Sequence, residues 1–234
     1  GDLNRKKLML ISTSGVAPRL TGFHEPQNRF FMIPDDVRAS DLYLSRRHTG
    51  LEEMESDLNC VFPIERLREI AASGLIQSTT TKHISVNETH LVTLSVRSSI
   101  APRIAELVEA EDAGGAIVLG VGVLGHRISA IVQKAVEDRG IPTVTISQYP
   151  RLSRFYNVSR IVHPVGFLPG HLVGPPDWPE LQRQVLQDAI EFLVAAREPL
   201  SLLEKDYPDY PVQPPKRRFQ LLDHSANWLR RNAV

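Results

Sequence analysis

The sequence predicts an α/β protein: a three-layer, doubly wound and mostly parallel sheet in a single domain, with long active-site loops and an extended C-terminal arm. Three observations carry this. Residues 115–148 pass from the short apolar run Ala116–Val121 through a glycine-spaced turn into apolar positions at helical spacing (Ile128, Ile131, Val132, Ala135, Val136), and on to a second run, Thr143–Ser147; this is one βαβ unit. A similar buried run, Lys7–Ser12, stands near the start, and short apolar runs alternate with helical patterns as far as Arg197. A chain of 234 residues, 42% hydrophobic and 23% charged, is long enough for one full core. The expected division is a domain over 1–198 and an arm over 199–234.

From the start, Lys7–Ser12 runs into the polar turn Thr13-Ser14-Gly15. Hydroxyls and free amides at the carboxyl end of a strand suit a carboxylate or phosphate, so Ser12, Thr13 and Ser14 are candidate ligand contacts, against the plainer reading of a turn. Residues 16–47, with one apolar run at Phe30–Ile33, read as a long irregular excursion over the strand ends. His48 follows in Ser45-Arg-Arg-His-Thr-Gly50. Asp57 and Asn59 then precede a helix at Ile64–Ser73 closed by Gly74, in positions that suit turn formers or caps. Cys60 has apolar neighbours and no adjacent cation, so it reads as a small buried hydrophobe rather than a nucleophile. Residues 75–90 read as a loop, Leu91–Val96 as a strand and Ile100–Ala110 as an amphipathic helix.

After the central unit, whose helix is expected over 126–139 with Gly140 closing it, a basic aromatic stretch, 149–156, precedes a strand at Arg160–His163. The proline- and glycine-rich segment 164–176 implies a fixed loop with His171 in its middle. Asp177 is placed to cap a helix over Pro179–Arg197, and the tail beyond Pro199 reads as an arm, docking on another subunit, rather than a core element.

Gly120, Gly122 and Gly125 spell G-x-G-x-x-G between a strand and a helix, which is the context of a dinucleotide-binding fingerprint. The acid that should end the next strand and hold a ribose is missing: Ser147 and Gln148 stand there, while Glu137-Asp138 lies at the helix end. Arg151 and Arg154 would suit a 2′-phosphate instead, and in the plainer reading the glycines only make a tight turn. With 27 basic and 27 acidic side chains the net charge is zero, so no global field draws the protein to nucleic acid or an anionic membrane; small molecules and other proteins are the expected partners. One cysteine excludes a disulfide framework, and no run of eighteen apolar residues would span a bilayer, so the cytoplasm is the simplest compartment. The histidines, His48, His126, His163 and His171 among them, lack ligand spacing, so no metal is assigned, and no cofactor is assigned either.

Ser45-Arg-Arg-His48, the stretch Asp57-Leu-Asn-Cys-Val-Phe-Pro-Ile-Glu-Arg-Leu-Arg-Glu69 with Gly74, the turn at 119–126, Gly140-Ile-Pro-Thr-Val144, Pro169-Gly-His171 with Pro175, and Leu181-Gln-Arg183 occur in an order that resembles the glycine/sarcosine/betaine reductase selenoprotein B family, to which the D-proline reductase subunit also belongs. The resemblance covers about residues 5–197, and Asp-x-Asn-x-Val-Phe-Pro is its most specific piece. It implies reductive cleavage of a carbon–nitrogen bond by a selenolate or thiolate at a helix N-terminus, with a second cysteine three residues on and then a histidine. Here those positions hold Gly122, Gly125 and His126, so the turn has no nucleophile. The resemblance still implies an α/β scaffold and a small-molecule pocket walled by the 12–15 turn, His48, Asp57 with Asn59, the 120–126 turn and the 163–171 loop.

The favoured expectation is an enzyme on an amino-acid-like or amine metabolite, working without thiol chemistry. The helix start at Gly125-His126 would hold a carboxylate, His126 or His48 would transfer protons, and Asp57 would support them. Ser12, Thr13, Ser14, Asn59, Gly120, Gly122, Gly125 and His171 would contact the ligand, and the chain would assemble as a homo-oligomer or hetero-oligomer. The alternatives are an NAD(P)-dependent oxidoreductase using the glycine turn, and a non-catalytic subunit of a hetero-oligomeric reductase.

Overall fold

In the computed structural model, which describes residues 5–19, 29–45, 52–87 and 93–210, the first strand is β1 (Lys7–Ser12), buried from Leu8 onward. Burial on both faces places it inside the sheet. The chain continues through β2 (Val16–Pro18), β3 (Phe30–Pro34), β4 (Leu42–Leu44), α1 (Ile64–Ala72), β5 (Ser78–Thr79) and β6 (Lys82–Val86). Next, α2 (Thr93–Ser95) passes through a π-helical turn, Val96–Ile100, into α3 (Ala101–Ala110). Then follow β7 (Gly115–Leu119), α4 (Gly122–Glu137), β8 (Thr143–Ile146), α5 (Pro150–Phe155), β9 (Arg160–Pro164), α6 (Pro179–Ala195) and β10 (Ser201–Lys205).

The main sheet has the order β10-β9-β8-β7-β1-β6-β3, with β5 beside the start of β1. All its pairs are parallel except β3 on β6. Leu8 and Leu10 point to one face, where α1 and α6 supply Leu67, Ile70, Val185 and Ala189. Met9 and Ile11 point to the other, against Ile104 and Val108 of α3 and Val132 and Val136 of α4. The three-layer, doubly wound architecture expected from the sequence is therefore present.

Several local expectations are corrected. The excursion at 16–47 contains an antiparallel ribbon, β2 with β4, and the edge strand β3. The expected loop at 75–90 holds β5 and β6, whereas the run expected as a strand at 91–96 is helical from Thr93. The helix expected from 126 begins at Gly122, so Gly125 and His126 lie within it. The basic stretch after Ser147 forms α5. Asp177 does not cap α6, whose N-cap is Trp178 without a side-chain bond. The expected arm starts inside the fold: β10 pairs with β9, and Tyr207 and Tyr210 are buried in the core. Residues 211–234 lie outside the described residues.

A break between β5 and β6 leaves the amide of Leu10 without a strand partner. His83, fully buried, fills the gap: its Nδ1 accepts from Leu10 N–H at 3.0 Å, and its Nε2 donates to Asp35 Oδ1 at 2.8 Å. Burial pushes the Asp35 carboxyl up, but bonds from His83 and Thr79 and the charges of His83 and Arg68 outweigh it and hold the group below its ordinary range.

Candidate functional site

From β1 the chain winds to β6 on one side and returns to β7 on the other, so the sheet's topological switch point lies between the carboxyl ends of β1 and β7. In β6-β1-β7-β8-β9 this is the flavodoxin-like order, and ligands of such sheets bind in the crevice at that switch.

Two predicted ligand loops meet there. Thr13 joins them: its N–H donates to Leu119 O at 3.0 Å, and its Oγ1 accepts from Val121 N–H at 2.9 Å. Ser12 Oγ donates to Val61 O at 2.7 Å and accepts from Ser14 N–H at 3.2 Å. Ser12, Thr13 and Ser14 are all buried, and these bonds hold the two loops and the 57–61 segment together.

The glycines differ in purpose. A Cβ on Gly120 would meet Ser129 Oγ at 2.9 Å and His126 Cα at 3.0 Å, so α4 approaches this backbone too closely for any side chain. Gly122 has φ +68° with open space around a would-be Cβ, so the turn needs its backbone freedom. Gly125 is buried within α4. The first turn of this helix has no side-chain cap and no acid, which leaves its N–H groups and positive dipole end at the switch point.

His126 is 1% exposed, with its ring edge-on to Tyr149 at 5.0 Å between centroids. Its Nδ1 lies 2.6 Å from Gly122 O. A carbonyl only accepts, so Nδ1 carries the hydrogen and Nε2 presents a lone pair. That Nε2 is buried without a partner among the described residues. Burial pushes its pKa down to about 4, despite the opposing bond to Gly122 O, so the ring is neutral at pH 7.

A pH dependence follows. Between pH 6.5 and about 4 the unfolded chain takes up a proton that folded His126 refuses. The stability is complete above pH 6.5 and is lost as pH falls through the window, by up to about 3 kcal/mol. Unfolding measured from pH 7.5 to 4.5 is expected to show a shallower loss in His126→Gln than in the wild type. Burial also lowers His171, so the variant keeps some slope; parallel curves would contradict the assignment.

Asp57 and Asn59 form a structural knot. Asp57 Oδ1 accepts from Asn59 N–H and Nδ2, both at 3.0 Å, while its Oδ2 accepts from Gln182 Nε2 at 2.7 Å and Asp177 N–H at 3.2 Å. Asn59 Nδ2 also donates to Glu65 Oε2 at 3.0 Å. The motif thus pins the start of α1 to the start of α6. Cys60, fully buried beside it, has its thiol pushed up by burial and then by the charge of Asp57, so it stays protonated.

His171 sits one segment away, connected through Val173 N–H donating to Cys60 O at 3.3 Å. Its Nε2 lies 3.0 Å from Glu53 Oε2 and its Nδ1 3.0 Å from Tyr210 Oη. His48 lies outside the described residues. The structure therefore gathers Ser12, Thr13, Ser14, Gly120, Gly122, Gly125 and His126 at the carboxyl ends of β1 and β7, with Asp57 and Asn59 joined to them through the 57–61 segment. Sequence reasoning missed Tyr149, Gln182, Glu53 and Tyr210, which no local spacing marks. Among the described residues no group of three His, Cys, Asp or Glu side chains gathers to hold a metal, and no helix is long and apolar enough to cross a membrane.

The fold is that of a doubly wound α/β protein whose switch point lies between β1 and β7. The chain is 28% identical over 165 residues to D-proline reductase subunit gamma of Acetoanaerobium sticklandii, over 70% of this chain and 68% of the relative, which supports a reductase-family role. No family model matches, and no solved structure matches.

Proposed function

We propose that the chain is a reductase-family subunit that holds a small amino-acid-like or amine metabolite at the switch point and works there without a thiol or selenol. The observation that carries this reading is the start of α4, where uncapped N–H groups lie beside a buried, unused lone pair on His126. Free N–H groups and a helix dipole suit a carboxylate, and a lone pair suits the N–H of an amine. The resemblance puts Gly122 and Gly125 at vacated redox positions, and Cys60 cannot replace them while its thiol is buried and protonated. In this proposal His126 stays neutral and its Nε2 accepts a hydrogen bond from the bound amine, while His48 is the proton carrier.

A second reading, a non-catalytic subunit of a hetero-oligomer, rests on the same turn: Val123 and Leu124 are 52% and 63% exposed there, as side chains awaiting a partner would be. The relative is itself a reductase subunit, which favours assembly with other chains.

Calorimetric titration with glycine, sarcosine, D-proline and reduced dinucleotides tests both. Saturable binding of one of the amino acids, lost in His126→Ala and kept in Cys60→Ala, is the expected result, with the cysteine variant costing about 1 kcal/mol of stability. Binding without turnover selects the second reading. Micromolar dinucleotide binding, or no amino-acid binding at all, would overturn the proposal.

A further inference from the structure

A cleft of about 710 Å3 lies along the outer face of α4, bordered by the π-helical turn before α3 and by the segment joining α5 to β9. Its volume suits a small molecule. The charges lining it do not balance. Lys134 pairs with Asp138 at 3.0 Å. Glu137 is taken up by Arg160 at 3.0 Å and by Thr143 and Ser159. Arg97, on the π-helical turn, and Arg127, on α4, are both exposed and have no carboxylate partner among the described residues.

The wall holds a second unmet demand. Gln133 lines the cleft yet is 1% exposed, and its Nε2 is buried without a hydrogen-bond partner among the described residues. Buried amides are nearly always paired, so an unpaired one beside a cavity marks a place for an acceptor. Pro102, Ile131 and Tyr156 line the same cleft with apolar surface.

We propose that this cleft binds a small organic anion, a carboxylate or phosphate ester on an apolar body. Arg97 and Arg127 hold the charged oxygens, the amide of Gln133 donates to an acceptor, and Pro102, Ile131 and Tyr156 cover the body. The cleft shares no side chain with the switch-point crevice, so the two sites stand or fall separately.

Phenyl phosphate and benzoate serve as probes, with inorganic phosphate as the charge alone and sodium chloride at matched ionic strength as control. Saturable shifts of the Gln133 side-chain amide resonance are expected on titrating phenyl phosphate or benzoate, and whichever binds tighter tells the ester from the carboxylate. The double variant Arg97→Ala/Arg127→Ala should weaken that binding at least about tenfold, Gln133→Leu should weaken it while remaining folded, and His126→Ala should leave it unchanged. The proposal fails if neither probe saturates, if sodium chloride reproduces the shifts, or if the double variant binds as the wild type does. It fails equally if the cleft closes against a second copy, seen as a dimer in sedimentation that Arg127→Glu dissociates.

Discussion

Asp57→Ala is expected to lose about 3 kcal/mol of stability in chemical denaturation, because one carboxylate accepts from Asn59 N–H and Nδ2 on one oxygen and from Gln182 Nε2 and Asp177 N–H on the other. Its removal strands donors on two segments far apart in the chain. Asp57→Asn should lose roughly half as much, since an amide keeps one acceptor and turns a donor toward whichever side it gives up. If Asp57 acts on substrate, Asp57→Asn would instead keep its stability and lose turnover. A stable Asp57→Ala variant would remove the knot as the reason for this motif.

Gly120→Val is expected to cost about 3 kcal/mol or more, because the new side chain meets His126 Cα at 3.0 Å, and backbone within a helix cannot step aside as a flexible side chain can. Gly122→Ala, where nothing lies within 4 Å of the new Cβ, should cost only about 1 kcal/mol, the strain of a positive φ. Thermal unfolding of the two variants side by side checks the contrast. Equal losses would mean that the glycine turn serves backbone freedom alone.

The central unit was legible because its apolar runs and helical spacing are long and uninterrupted, from Gly115 to Ile146. Apolar runs marked β1 and β7 alike as interior strands, whereas their adjacency shows only in the pairing. The strand at Lys82–Val86 was hidden among threonines, and its one histidine fills a backbone gap, which no periodicity announces. The helical stretch from Thr93 carries an apolar run as short as a strand's. β10 was lost between Pro199 and Pro208, because only pairing with β9 shows that five residues of a proline-flanked tail continue a sheet. The roles of Asp57 and Asn59 as turn formers were readable from their type, whereas Gln182, which closes the knot from the far side, was not.

The order of strands also sets an order of assembly. From β7 to β10 each new strand lies beside the one before it, so this half of the sheet can grow by local steps as the chain is made. β1 is different: it is made before every other described strand, yet Leu8 pairs with Gly115 and Ser12 with Leu119. Until those residues leave the ribosome, one whole edge of this largely buried strand stays open, shielded on its other side only by β5 and β6. The nascent chain is therefore most exposed to wrong pairing while α2 and α3 are being made, and the arrival of β7 both closes that edge and brings the turns after β1 and β7 together.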